Sequence, residues 1–213
     1  MKNNKRISPE LISRDNHTLF IIDQESQMAF GNHSHNPMEL RNNIGLVCGT
    51  SKIFNIPTVV TTIARDTFTG PVFPEILEVF PNQDEYINRT TLNAWEDDKT
   101  HKAVTGKNKK KIVMSGSWTS VCLALPALSA YNEGYEVYVI KDSCCDMTKE
   151  VHETAIQRLI QAGIRPITSM QYLLEIQRDW ANKETYDDVM SLIKRFGGTY
   201  GIGVQYAEDM VQK

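Results

Sequence analysis

Short apolar runs alternate along the chain with longer amphipathic segments. Residues 18–22 (TLFII) form an unbroken run ending in Asp23, the pattern of a central parallel strand with an acid at its carboxyl end. Residues 58–63 are β-branched at almost every position and predict a second strand. Further strands are predicted over 86–88, 112–114, 135–140 (with Asp142 beyond its end) and 164–168. Helices fill the gaps. One opens at Pro37-Met38-Glu39 and runs to about Phe54, with Leu40, Ile44, Val47 and Ile53 facing inward; others cover 75–80, 97–105 and 149–163. This alternation predicts an α/β fold with a largely parallel sheet. Residues 24–37 and 65–74 read as loops at strand carboxyl ends, where such sheets bind ligands.

One stretch stands apart. Residues 111–131 read KIVMSGSWTSVCLALPALSAY: an apolar run, the turn-prone Ser115-Gly116-Ser117, Thr119 where a helix cap would go, then helix-forming residues that Gly134 stops. Strand, tight turn and helix lift Cys122 above the sheet edge. The start of a helix favours thiolate over thiol, which makes Cys122 a candidate nucleophile. A small buried core residue is the other reading of such a cysteine. Pro126 lacks an N–H for the carbonyl of Cys122, so the helix should be irregular just beyond the thiol. Asp23 is the second candidate, or else a cap after its strand. Arg89, delivered by the third strand, is the third; its guanidinium stays charged, so it can steady an anion but not act as a base.

Composition narrows the picture. The chain has 213 residues, 41% apolar and 23% charged, enough for one domain with its own core. A net charge of −3 and a pI near 6.0 speak against nucleic acid or an anionic membrane as partner. The basic run 107–111 reads as a solvated turn before a strand. The uncharged span 112–132 is too polar and interrupted to cross a membrane. The N-terminal sequence MKNNKRISPELI lacks a signal-peptide core, so a cytoplasmic protein is expected. Cys48, Cys122, Cys144 and Cys145 show no metal-type spacing, and the adjacent pair reads as structural or incidental. His33 and His35 read as solvated loop residues. Residues 170–213 turn helical and charged, with a Gly-rich interruption at 197–203 that fails as a dinucleotide fingerprint; no phosphate-binding loop pattern occurs either. This extension beyond the core (about 15–169) is expected to pack against another subunit.

Asp23 after the first strand, Arg89 after the third and the G-x-x-T-x-x-C pattern of Gly116, Thr119 and Cys122 form a recognisable set. Together they resemble the isochorismatase-like cysteine hydrolases. The strings RTTLNAWED (89–97), VCLALPALSA (121–130) and IQRDW (176–180) are similar to the family's YcaC-like branch, and the likeness runs from about residue 15 to 206. The resemblance implies a three-layer doubly wound fold with a six-stranded sheet, and an Asp-Lys-Cys type triad whose roles fall on Asp23, Arg89 and Cys122. Most of the family has lysine where this chain has Arg89. It further implies a cis peptide before Trp118 and an oxyanion site made by the N–H groups of Trp118 and Cys122; a homo-oligomer, tetramer or octamer, is expected beside it.

The nicotinamidase branch carries an Asp/His metal site. This chain has no histidine between His35 and His101, so neither metal nor other cofactor is expected. The expected activity is hydrolysis of an amide-type C–N bond in a small molecule through a thioester, with loop 65–74, Trp95 and Trp118 shaping the pocket. Two rivals stand beside it: a catalytically inactive oligomeric binding protein, and a redox sensor in which Cys144 or Cys145 resolves an oxidised Cys122.

Overall fold

The structure is a computed structural model that describes residues 7–211. The N-terminal sequence read above for a signal begins in residues 1–6, and the tail ends in 212–213; both lie outside the described residues. The first half of the chain gives β1 (His17–Ile22), α1 (Ser26–Phe30), α2 (Pro37–Ile53), β2 (Thr58–Ile63), a π-helical turn (Arg65–Thr69), α3 (Pro74–Val79), β3 (Ile87–Arg89) and α4 (Asp98–Thr105). The second gives β4 (Lys111–Gly116), a π-helical turn (Thr119–Leu123), α5 (Ala124–Asn132), β5 (Glu136–Ile140), α6 (Lys149–Gln161) and β6 (Arg165–Ile167). The chain continues through α7 (Ser169–Gln177), α8 (Lys183–Phe196) and α9 (Gly198–Met210). Several helices start where a side chain can satisfy an orphan N–H. Asn36 accepts from Met38, Asp97 from Thr100, Thr148 from Val151 and Thr168 from Gln171.

The six strands are all parallel, in the order β3-β2-β1-β4-β5-β6. Alternate residues serve opposite faces. Leu19, Ile21, Val60, Val113 and Tyr138 pack under α2, α7 and α8, while Phe20, Ile22, Val59, Ile112 and Met114 pack under α4, α5 and α6. Burial on both faces explains why the strands read as continuous apolar runs. The chain reverses its direction of travel between β1 and β4, so a crevice opens beyond their carboxyl ends. Asp23 leaves β1 on one side of that crevice, and the turn bearing Cys122 leaves β4 on the other.

Several expectations need correction. Residues 24–37 contain α1, and the loop after β2 is wound into a π-helical turn. Thr119 does not cap a helix: its hydroxyl lies 3.0 Å from the Cys145 carbonyl oxygen and 2.8 Å from His152 Nδ1. The Gly-rich segment breaks the helical tail at Gly197 only, and α9 starts at Gly198. Lys111 is buried and donates to the carbonyls of Pro9 and Leu11, so the basic run does not end in solvent. Within the tail, α8 packs on α2 of its own chain, burying Val189 and Ile193, whereas Tyr200, Ile202, Tyr206 and Met210 of α9 are exposed. No helix among the described residues is long and apolar enough to cross a membrane.

Candidate active site

Asp23, Arg89 and Cys122 meet at the crevice, each fixed by a different strand end. Asp23 ends β1 in the left-handed region, with φ of 50°. That conformation is costly for a non-glycine residue and persists because the surroundings hold it. Its N–H donates to Thr61 O at 3.1 Å, which ties the bend to β2. Its Oδ1 accepts from Thr61 Oγ1 at 3.1 Å and its Oδ2 from Arg89 Nη2 at 2.5 Å. Arg89 also donates through Nη1 to the carbonyl of Thr91. Its buried Nε has no partner among the described residues.

The Cys122 thiol lies beside the Asp23 carboxylate and near the Trp118 N–H, close enough for both to shift its proton affinity. The peptide Ser117–Trp118 is cis, as the resemblance implies. Cys122 lies in the π-helical turn Thr119–Leu123, so the irregularity falls at and before the thiol, whereas beyond it, where Pro126 is expected to disturb the helix, α5 runs regularly from Ala124. The ring of Trp118 lies over Gly31, where a Cβ would stand 2.9 Å from Cη2. Trp95, by contrast, points its indole N–H at Glu133 (2.8 Å) and packs edge-on to His101 and Tyr135, so it belongs to the far side of α5. Phe30, Phe68 and Leu92, all exposed, lie on the segments that follow β1, β2 and β3.

The electrostatics of this group differ from the sequence expectation. Burial pushes the Cys122 thiol up to about 12, helped by the charge of Asp23 and by its hydrogen bond, against smaller opposing effects of Arg89 and the Trp118 N–H. The resting sulfur is therefore a thiol, not a thiolate. Burial likewise raises Asp23, against the pull of Arg89, Cys122 and Thr61. Burial thus raises the proton affinity of both partners together.

Residues that sequence reasoning passed over support the site. Gln24 donates to Ser115 Oγ (3.0 Å) and Ser143 O (2.6 Å) and accepts from Ser117 Oγ (2.9 Å), spanning the crevice. Asp146 accepts from the Ser120 N–H at 2.7 Å and steadies the turn before Cys122. Cys144 and Cys145 are fully buried, Cys144 donating to Ile140 O and Cys145 contacting Ser117 Oγ at 3.1 Å, which is a structural role. Asp142 accepts from Ser169 and takes no part. His33 is exposed, but His35 packs edge-on to His152, with ring centroids 4.6 Å apart. No cluster of three or more metal-ligating side chains occurs among the described residues. The polar adjacency Asp23-Gln24-Glu25 after an apolar strand was the available signal for the missed residues.

Comparison with known proteins identifies the family and matches the fold. The model of the isochorismatase domain matches residues 17–171. A probable hydrolase, YcaC of Escherichia coli, is 30% identical over 80% of this chain and 82% of its own. The crystal structure of the E. coli YcaC gene product, described as an octameric hydrolase of unknown specificity, superposes with a TM-score of 0.88 at 28% identity, over 94% of this chain and 98% of that one. YcaC from Pseudomonas aeruginosa, solved with hexane-2,5-diol and covalent acrylamide, gives a TM-score of 0.87 at 29% identity, over 95% and 99%.

Proposed function

The chain belongs to the isochorismatase-like hydrolase superfamily, closely related to its YcaC branch, and on that premise we propose that it is a cysteine hydrolase cleaving an amide-type C–N bond of a small molecule. The observation that carries this reading is a buried thiol set beside a buried, arginine-paired carboxylate. In the first step Asp23 takes the thiol proton as sulfur attacks the substrate carbonyl. The tetrahedral oxyanion is received by the N–H groups of Trp118 and Cys122, each contributing roughly 3 kcal/mol as oxyanion donors do elsewhere. Asp23 then gives its proton to the departing nitrogen, leaving a thioester on Cys122. Water attacks that thioester, its proton passing to Asp23; the acid product leaves and the thiol is restored.

Arg89 takes no proton. Its fixed charge keeps Asp23 ionised in the resting site and balances the anion that forms. Exposed Phe30, Phe68 and Leu92 on the segments after β1, β2 and β3, with the Trp118 ring over Gly31, favour a small flat or apolar acyl group. The exposed apolar residues of α9 support a homo-oligomer, and the E. coli relative is described as octameric. The P. aeruginosa relative carries acrylamide covalently, which makes acrylamide a suitable probe here. Acrylamide labelling located by peptide mass, together with a turnover screen of carboxamides and ureido compounds, tests the reading. Label on Cys122, lost with turnover in Cys122→Ser and slowed in Asp23→Asn, is the expected result. Unchanged labelling and turnover in both variants refutes it.

One observation favours a second reading. Cys122 is only 3% exposed and its thiol is held up at about 12, as suits a family member that binds or assembles without turnover. Native protein that resists acrylamide and turns over no carboxamide would decide for that alternative.

A further inference from the structure

Glu25 is a buried titratable side chain that the proposed chemistry leaves unused. It lies two residues past Asp23 and is 0% exposed. Around it, residues 24–26 run antiparallel to residues 71–73. Glu25 bridges Val72, the Ser26 N–H donates to Pro71 O at 2.8 Å, and the Phe73 N–H donates to Gln24 O at 2.9 Å. The carboxyl reaches both ends of the π-helical turn after β2. Oε2 accepts from the Ile63 N–H at 3.0 Å, and Oε1 lies 2.7 Å from Thr69 Oγ1. One side chain thus closes the loop that carries the exposed Phe68.

The hydrogens can be counted. Thr69 Oγ1 also contacts the carbonyl oxygen of Ile63. A hydroxyl has one hydrogen to give. With Glu25 ionised, two acceptors compete for it, and one buried oxygen–oxygen contact is left with no proton between the atoms. A proton on Oε1 removes the conflict. Glu25 then donates to Thr69, Thr69 donates to Ile63 O, and Oε2 still accepts from the Ile63 N–H, so every group is satisfied. The charged groups facing Glu25 are Asp23 from the same bend, which opposes ionisation, and Arg89 from β3, which favours it. Arg65 and Asp66 of the turn pair with each other at 3.3 Å. Burial, the largest influence, pushes Glu25 up to about 7.

We propose that Glu25 is a positioning residue that works as a neutral carboxylic acid, clasping the loop after β2 to the bend that holds Asp23 and opening the clasp when it ionises. The clasp stands on the hydrogen-bond geometry alone; its effect on turnover rests on the function proposed above.

Infrared difference spectra against Glu25→Gln test the clasp directly, because glutamine copies the donor and acceptor pattern of the protonated acid. A carboxylic-acid carbonyl band present at about pH 6, lost at about pH 9 and missing in the variant is expected, since neutrality lies between these values. The band should persist at about pH 6 in Asp23→Asn, which separates Glu25 from its neighbour and serves if Glu25→Gln does not fold. Absence of the band in both wild type and Asp23→Asn overturns the proposal. For turnover, kcat/KM of the wild type should fall at least about threefold between neutrality and about pH 9, and Glu25→Gln should abolish that fall. An equal fall in both proteins overturns the positioning role. If Cys122→Ser keeps its turnover while the band behaves as expected, the catalytic reading fails and the clasp stands.

Discussion

The two sides of the crevice hold the nucleophile by different means. On the β1–β2–β3 side the contacts are ionic and buried: Asp23 against Arg89 at 2.5 Å, with Glu25 beside them. On the β4–β5 side they are mostly neutral: the amide of Gln24, the hydroxyls of Ser115, Ser117, Thr119 and Ser143, and the thiol of Cys145, with the Asp146 carboxylate engaged by backbone N–H groups. The first side sets proton affinity and the second sets position. A site that must move a proton needs groups whose charge can change in a dry setting, and it needs a frame that does not change with them.

This division can be broken in the laboratory. The largest effects belong to the ionic side: Asp23→Asn or Cys122→Ser should lower kcat/KM by about a thousandfold or more, measured on any carboxamide the screen finds. On the neutral side Ser117→Ala should cost only about tenfold, because position is shared among several bonds. Equal losses would erase the distinction. Arg89→Met leaves Asp23 buried without its partner and should destabilise the protein by about 3–5 kcal/mol in urea unfolding. Arg89→Lys, which keeps the charge, should lose less.

Acid sharpens the contrast. Burial holds His152, under Thr119, and His17, beside Tyr172, neutral with values of about 4. Unfolding releases both histidines to their ordinary range, so the unfolded chain gains protons first as pH falls. Stability should therefore drop between about pH 6.5 and 4, and His152→Gln should flatten part of that drop in thermal scans. Glu25 has the opposite sign: its value is raised, so its contribution is present at acid pH and fades as pH rises through about 7. The smallest effect concerns Gly31→Ala. The added methyl would meet the Trp118 ring and should cost about 1 kcal/mol, with KM moved more than kcat if the indole lines the substrate path.

Much of this was legible in the chain. Alternating apolar strands and amphipathic helices gave the layers, because burial on both faces of a parallel sheet leaves an unmistakable pattern. Asp23 stood out as an acid directly beyond an apolar strand, and Cys122 as a thiol at the start of the helix after a strand and tight turn. What stayed hidden depends on contacts between distant segments. The role of Glu25 comes from Ile63 and Thr69 folding back on it, and that of Thr119 from Cys145 and His152. Lys111 looked like surface until the carbonyls of Pro9 and Leu11 enclosed it. The thiol value also escaped, because local helix geometry predicts a lowered one while burial beside a carboxylate dominates.

The seat of α8 carries one more consequence. Phe196 and Leu192 rest where Gly45 and Gly49 of α2 have no side chains, and an added Cβ would come within 2.7 and 2.2 Å of them. The C-terminal extension is thus keyed into the first helix layer as a bolt into a slot. Any redesign that trims the chain after β6 would strip a wall from the molecule rather than remove an ornament.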